Sequence, residues 1–214
     1  MTELAASVLA DRTWLREDLR RAAALYGAAG DRVLGTIRWY SASSMLVAPA
    51  LESLVHTGTA TDPALEAVML DVHHDGRILD ARSVRPFDGD AGRLAQAFSG
   101  ALGAAVEAIA DVSGASPRSL WAIAADSIGN RLLWAGARLG AAEDAMRLAG
   151  ELGDGIAAAG APMPRPLFTE AGGTPVVRRT SCCLIYEIPG GQKCASCPKQ
   201  TPEERTRRLR SLLG

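Results

Sequence analysis

The chain has 214 residues, of which 48% are hydrophobic and 22% charged, and its formal net charge at pH 7 is -1. This composition is typical of a globular protein with a buried core, and it excludes a disordered tail, a linker and a collagen-like chain. No apolar run is long enough to span a membrane, and Glu3 precedes any basic residue. We therefore expect no integral membrane segment, no secretory signal and a cytoplasmic location.

Helical periodicity dominates the N-terminal part of the chain. Apolar residues at three-, four- and seven-residue spacings predict an amphipathic helix over residues 2–29, which Gly30 ends. A second helix begins at Asp31, and Pro49 is expected to kink or divide it.

Residues 65–87 change to a strand pattern. Two runs with β-branched residues flank the sequence His-His-Asp-Gly at 73–76, and Asp-Gly is a strong turn signal, so a β-hairpin is predicted. Ser116 and Pro117 then form a helix start, with a cap followed by proline in the first turn. Three helical segments are predicted after the hairpin, near residues 89–112, 117–139 and 141–159.

Three prolines between residues 162 and 166 separate two parts of the chain. We predict a mainly helical scaffold and substrate domain at residues 1–161 and a cysteine-rich C-terminal module at residues 162–214. Thr201 can cap a final helix over about residues 202–213. The expected fold class is α+β, mostly helical, with a small β-hairpin and this C-terminal module.

The C-terminal module is cationic although the whole chain is nearly neutral. Residues 176–214 carry eight basic and three acidic side chains, a net charge of +5, whereas residues 1–175 have a net charge of -6. Such a module could attract an anionic substrate, an acidic protein or nucleic acid, or offset the charge of a group bound inside it. On the final helix, Leu209, Leu212 and Leu213 are expected to dock inward. Four arginines there are expected to form a solvated face: Arg205, Arg207, Arg208 and Arg210.

All four cysteines fall within one short segment, at Cys182, Cys183, Cys194 and Cys197. Residues 184–188 predict a strand, and the Pro-Gly-Gly that follows predicts a reversal that returns the second pair towards the first. Adjacent side chains on a regular strand point to opposite faces, so the first two cysteines can share a site only if the backbone bends there. In a reducing cytosol such thiols are more typical of ligands or redox groups than of disulfides.

Three occupants compete for a four-thiol site. Composition and spacing give similar weight to structural zinc and to an iron–sulfur cluster, and less to a metal-free thiol–disulfide switch. Adjacent cysteines fit standard zinc ribbons poorly, and Pro198 directly after Cys197 is typical of many ferredoxin motifs. Spacing alone leaves both metals open.

Other candidate sites are weaker. His73 and His74 lie beside the predicted turn, and no metal role is expected for them. The chain has neither a Gly-x-Gly-x-x-Gly fingerprint nor a Walker loop, so no nicotinamide or ATP site of those types is expected. The tryptophans are expected in the core: Trp14, Trp39, Trp121 and Trp134.

The residues around the cysteines point to one family. The run from Val177 to Pro189, followed by Cys-Ala-Ser-Cys-Pro at 194–198, resembles the C-terminal signature of FhuF-like ferric-siderophore reductases. Upstream, Arg-Trp-Tyr at 38–40 with Pro49, and Leu-Trp at 120–121, are similar to aromatic helical segments of that family. Two residues separate the arginine pair from the first cysteine here, one more than is frequent in the family.

The resemblance implies a [2Fe-2S] cluster and an oxidoreductase that passes one electron to Fe(III) in a siderophore and so releases Fe(II). It implies four ligands: Cys182, Cys183, Cys194 and Cys197. The partners would be a ferric siderophore and an external electron donor, a ferredoxin or a flavin reductase, with no nucleic acid. Nearby cations favour a reduced, more negative cluster, so we expect Arg178, Arg179 or Lys193 to raise its potential.

Two alternatives come from other classes of protein. The basic final helix and the clustered thiols would also suit a zinc-stabilised module that binds nucleic acid or protein, although no histidine of the zinc-knuckle type follows Cys182. A redox sensor could read a cluster or the thiols without turning over a substrate.

Overall fold

The fold is described from a computed structural model, which covers residues 1–213. The helices are α1 (Arg12–Tyr26), α2 (Asp31–Thr57), α3 (Ala91–Ser113), α4 (Pro117–Arg138), α5 (Ala142–Ala158) and α6 (Pro202–Leu213). The strands are β1 (Thr2–Ala5), β2 (Val68–Val72), β3 (Ile78–Ser83), β4 (Phe168–Ala171) and β5 (Thr174–Val177). The expected α+β fold, mostly helical, is confirmed. Over residues 1–213, no helix combines the length and the apolar character that crossing a bilayer requires.

Helices α2 and α4 pack against each other at the centre of the molecule. Two polar contacts join them within an apolar core: the indole Nε1 of Trp39 donates to the carbonyl oxygen of Leu120 at 2.8 Å, and the hydroxyls of Ser43 and Ser127 lie 2.8 Å apart. These contacts fix the position of α4 along α2. Asp126, one residue before Ser127, is thereby held in a defined place.

Proline at position 49 does not divide α2, which is continuous from Asp31 to Thr57. Proline removes one helical hydrogen bond and clashes with the preceding turn. Around it, Val47, Ala50 and Leu51 are fully buried, so packing compensates for the defect. Of the two expected effects of Pro49, a kink or a division, the division was therefore wrong.

The N-terminus differs from the predicted single helix. Strand β1 pairs antiparallel with β2, a 3-10 turn follows, and α1 begins only at Arg12. The carboxylate of Asp11 caps α1, since it accepts hydrogen bonds from the backbone N–H groups of Thr13 and Trp14 at 2.7 and 3.2 Å. The predicted hairpin of β2 and β3 is confirmed, and β1 extends it to three strands.

A second hairpin, β4–β5, leads into the cysteines and was not predicted. Its turn contains Gly172 and Gly173, whose φ angles of +63° and +81° favour glycine. The hairpin packs on α4 where Gly129 leaves room, because a Cβ there would lie 3.2 Å from the Val177 side chain. A glycine on α4 thus lets the approach to the cysteines lie close to the scaffold.

The final helix α6 has the predicted bounds, and the backbone N–H of Glu204 donates to the hydroxyl of its cap, Thr201, at 3.2 Å. Leu209 is half-buried, but Leu212 is 73% exposed, so the expected inward docking was wrong for Leu212. The side chain of Leu213 is outside the described part of the structure. The division of the chain after residue 161 stays a prediction.

Candidate metal centre

The segment that carries the four cysteines, residues 179–200 and here called the cysteine segment, has little regular structure. The strand predicted at residues 184–188 is wrong, because Ile185–Glu187 form a 3-10 turn. Leu184 has a φ of +63°, and it is the one non-glycine residue with positive φ among residues 1–213. The bend that the adjacent cysteines require lies directly after them, at a conformation that costs about 1–3 kcal/mol in a non-glycine residue.

This bend brings the four sulfur atoms together. The Sγ atoms of Cys182 and Cys197 are 3.6 Å apart, and the sulfurs of Cys183 and Cys194 both lie within 4 Å of one nitrogen atom, the Nη1 of Arg179. Three of the four cysteines are buried, Cys194 is half-buried, and none forms a disulfide. The geometry expected from the spacing, in which the second pair returns to the first, is present.

Cys182 and Cys197 form one close pair of sulfurs. Within residues 1–213, no three His, Cys, Asp or Glu side chains converge on one point in the way that a single metal ion requires. A [2Fe-2S] cluster with cysteine ligands takes two thiolates on each of two irons. Two thiolates on one tetrahedral metal lie roughly 3.8 Å apart when each metal–sulfur bond is about 2.3 Å. The separation of 3.6 Å between Cys182 and Cys197 fits such a pair.

A buried arginine faces the other pair. The Nη1 atom of Arg179 is 3.4 Å from the Cys194 sulfur and 3.8 Å from the Cys183 sulfur, and the side chain is 2% exposed. Its guanidinium carbon lies 4.5 Å from the centre of the Tyr40 ring, a cation–π contact. Its Nε and Nη2 groups are buried without a hydrogen-bond partner. Unpaired buried donors beside sulfur fit an anionic, sulfur-rich group bound at this place.

Asp126 on α4 anchors the cysteine segment. Its Oδ1 atom accepts hydrogen bonds from the backbone N–H and the hydroxyl of Thr180, both at 3.2 Å, and its Oδ2 atom lies 3.5 Å from the Nε of Arg179. Burial raises the pKa of Asp126 to about 6, although these hydrogen bonds and the arginine charge oppose the shift. The carboxylate is therefore held at a cost in solvation, in exchange for contacts to the segment.

The same surroundings favour a thiolate at Cys183. Its pKa lies well below the usual value because Cys182 and Cys194 donate hydrogen bonds to it, with further help from the backbone N–H of Ile185 and the charge of Arg179. The backbone N–H of Leu184 donates to the Cys182 sulfur at 3.5 Å. Thiolate is the form that binds metal, and N–H donors to sulfur are what tunes a metal–thiolate centre.

Of the three cations considered from the sequence, Arg179 alone contacts the sulfurs. Arg178 is exposed, and the Nζ of Lys193 donates to the carbonyl oxygen of Lys199 at 3.0 Å. Asp126 was missed, although a carboxylate within the apolar run of α4 is a visible signal in the sequence. Tyr40 appeared only as part of an aromatic helical motif, and nothing local links it to cysteines so distant along the chain.

The other candidates lie apart from the cysteines. The Nδ1 atom of His73 lies 2.9 Å from a carboxylate oxygen of Asp75, within the turn between β2 and β3. Trp39 and Trp121 are buried as expected, whereas Trp134 is 50% exposed, so the expected core position was wrong for Trp134.

Four clustered thiols with a buried cation beside them suit an iron–sulfur cluster. A comparison with family models agrees: residues 179–199 match the FhuF 2Fe-2S C-terminal domain. The match begins at Arg179, contains all four cysteines and supports a FhuF-like family over this short span, with a [2Fe-2S] cluster as the cofactor. In a search of curated proteins, no sequence matches the chain.

Proposed function

We propose that the protein is a cytoplasmic ferric-siderophore reductase that passes one electron to the Fe(III) of a siderophore and releases Fe(II). The four cysteines, Cys182, Cys183, Cys194 and Cys197, would hold the cluster. The observation that carries this proposal is the gathering of the four cysteines in one short segment, with the buried guanidinium of Arg179 beside two of the sulfurs.

The chemistry follows from the preferences of iron. Hard oxygen donors hold Fe(III) tightly and Fe(II) far more weakly, so adding one electron opens the chelate. The bound cluster supplies a one-electron couple. The chain's own residues do the rest: Arg179 offsets the negative charge of the thiolates, Asp126 holds the segment on α4, and burial limits the access of water to the sulfurs.

The electron comes from an external donor, a ferredoxin or a flavin reductase. The basic helix α6 supports docking of an acidic donor, since opposite charge speeds encounter. Two of its arginines, Arg207 and Arg208, already pair with Glu204, which reduces the charge they present. We expect reduction by an acidic ferredoxin to slow as ionic strength rises, and a rate independent of salt would contradict this docking.

The decisive experiment is anaerobic purification with iron and sulfide analysis, a visible spectrum, and turnover of a ferric chelate with a chemical reductant and an Fe(II) trap. We expect two irons and two sulfides per chain and Fe(II) release that the Cys182→Ala variant lacks. A colourless, zinc-loaded protein would favour the binding module. A cluster that is present but reduces no ferric chelate would favour a redox sensor.

A further inference from the structure

A cleft of about 580 Å³ borders the cysteine site on the side of Cys182. Its walls come from the first turns of α2, the start of α4 and the cysteine segment. Cavities of this volume are typical of sites for small molecules. A ligand in this cleft would lie next to one of the four sulfurs.

Positive charge exceeds negative charge in the lining of the cleft. Arg32 and Lys199 contribute two positive charges, and Glu187 contributes one negative charge. Arg32 donates to Glu187 at 2.8 Å, but half of its side chain is exposed, and such surface pairs are weak. Within residues 1–213, no carboxylate lies within ion-pair distance of Lys199. Lys199 is thus available to bind an anion, and Arg32 can do so when it releases Glu187.

Hydroxyl groups line the same cleft. Ser116 precedes α4 but makes no side-chain hydrogen bond to that helix, so its hydroxyl is available, and Ser119 lies one turn further on. The oxygen atoms that surround Fe(III) in a chelate are hydrogen-bond acceptors, and hydroxyl donors suit them. The cleft therefore combines positive charge with donors, beside a proposed cluster ligand.

A second cleft of comparable size, about 490 Å³, has a different character. It lies between the start of α3 and helix α5, and apolar side chains such as Leu54, Phe87 and Leu148 line much of it. Its lining residues within the described chain include no cysteine and no cation. This cleft offers neither the charge nor the proximity to sulfur that the first one has.

We propose that the cleft beside Cys182 binds the ferric chelate and that it selects chelates with net negative charge. Lys199 and Arg32 determine this specificity, and Glu187 limits it. The inference rests on the proposed function, because it takes the ferric chelate as the substrate.

The test uses gallium(III), which has the charge and size of Fe(III) but is not reduced, so binding is measured apart from electron transfer. Calorimetric titration compares a hexadentate tris-catecholate gallium complex, which carries three negative charges, with a neutral hexadentate tris-hydroxamate complex. Both are titrated into the full, cluster-containing chain. We expect the anionic complex to bind more tightly.

Charge substitutions then locate the site. Lys199→Gln and Arg32→Gln should each weaken binding of the anionic complex about fivefold, and Glu187→Gln should strengthen it to a similar degree, as expected for one charge at a partly exposed site. The neutral complex should change less than about twofold. The matched control is Arg147→Gln on α5, which removes a positive charge outside the cleft and should leave both affinities unchanged.

Unchanged affinities in all three variants, or equal changes for the two complexes, would overturn the proposal. Weaker binding of the anionic complex by Glu187→Gln would overturn it as well. None of these outcomes depends on reduction of a ferric chelate, so each is distinct from failure of the proposed function. If gallium binding follows the expected pattern while no ferric chelate is reduced, the cleft stands and the reductase activity does not.

Discussion

The helical scaffold and the cysteine segment are held together by different forces. In the scaffold, apolar side chains such as Leu120, Ile128 and Leu132 are completely buried along α4. The cysteine segment has one short 3-10 turn, and polar contacts through Asp126 join it to the scaffold. The scaffold can therefore fold by hydrophobic burial alone, whereas the segment depends on what its sulfurs bind.

The largest effect that separates the two regions should come from removing one thiol. In Cys182→Ala we expect cluster content to fall below about a tenth of the wild-type value, because metal binding supplies the free energy that orders a site of this kind. The helical circular dichroism signal should remain. Iron analysis and the visible spectrum measure the first effect. Gln192→Ala, which changes an exposed residue of the same segment without removing a thiol, is the control, and equal loss in both variants would contradict the ligand assignment.

The converse change is a cavity in the scaffold. Leu132→Ala should lower the free energy of unfolding by about 2–5 kcal/mol, because it removes a fully buried side chain. The cluster spectrum and its potential should stay at the wild-type values. Leu139→Ala, at an exposed position just after α4, serves as the control and should change stability by less than about 0.5 kcal/mol. A shifted cluster potential in Leu132→Ala would show that the two regions are more tightly coupled than the contacts indicate.

A charge change at the boundary of the two regions should act on the potential. Arg179→Gln keeps hydrogen-bond donors near the sulfurs but removes the buried positive charge that favours the more negative, reduced state. We expect the potential to fall by about 60 mV, the one-electron equivalent of about 1.4 kcal/mol. Arg178→Gln is the matched control, because the Arg178 side chain is adjacent in sequence but exposed. Equal shifts in both variants in voltammetry would mean that general surface charge, not this contact, sets the potential.

The two regions also differ in how much of their structure the sequence predicts. Helices α3 to α6 follow from local periodicity and caps, and their predicted bounds agree with the structure to within about two residues. Strand β1 was missed because its partner, β2, follows only after two intervening helices, and no local pattern specifies such a pairing.

Within the candidate site, the cysteine spacing predicts which residues come together, but it does not predict the backbone conformation that brings them together. The spacing of the four cysteines predicts that they form one site. The apolar, β-branched run after Cys183 nevertheless predicts a strand. The structure has a turn there instead, because the backbone of Leu184 adopts a left-handed conformation where the sulfurs converge. The tertiary contact between Arg179 and Asp126 depends on how α4 packs, which periodicity does not define.

Asp126 provides the most discriminating pH test of the link between the regions. Its pKa of about 6 in the folded chain lies above the ordinary value of 3.8, so the folded state binds a proton more tightly than the unfolded state does. The resulting stabilisation is fully present below about pH 4 and is lost as the pH rises through about 6. Relative to Asp126→Asn, which cannot titrate, the wild type should lose about 1.4 kcal/mol of stability between pH 5 and pH 7 in anaerobic urea unfolding. The control is Asp144→Asn at an exposed position, whose free energy of unfolding should change with pH as that of the wild type does. If the curve for Asp126→Asn also runs parallel to that of the wild type, the Asp126 carboxylate does not have the raised pKa that its burial predicts.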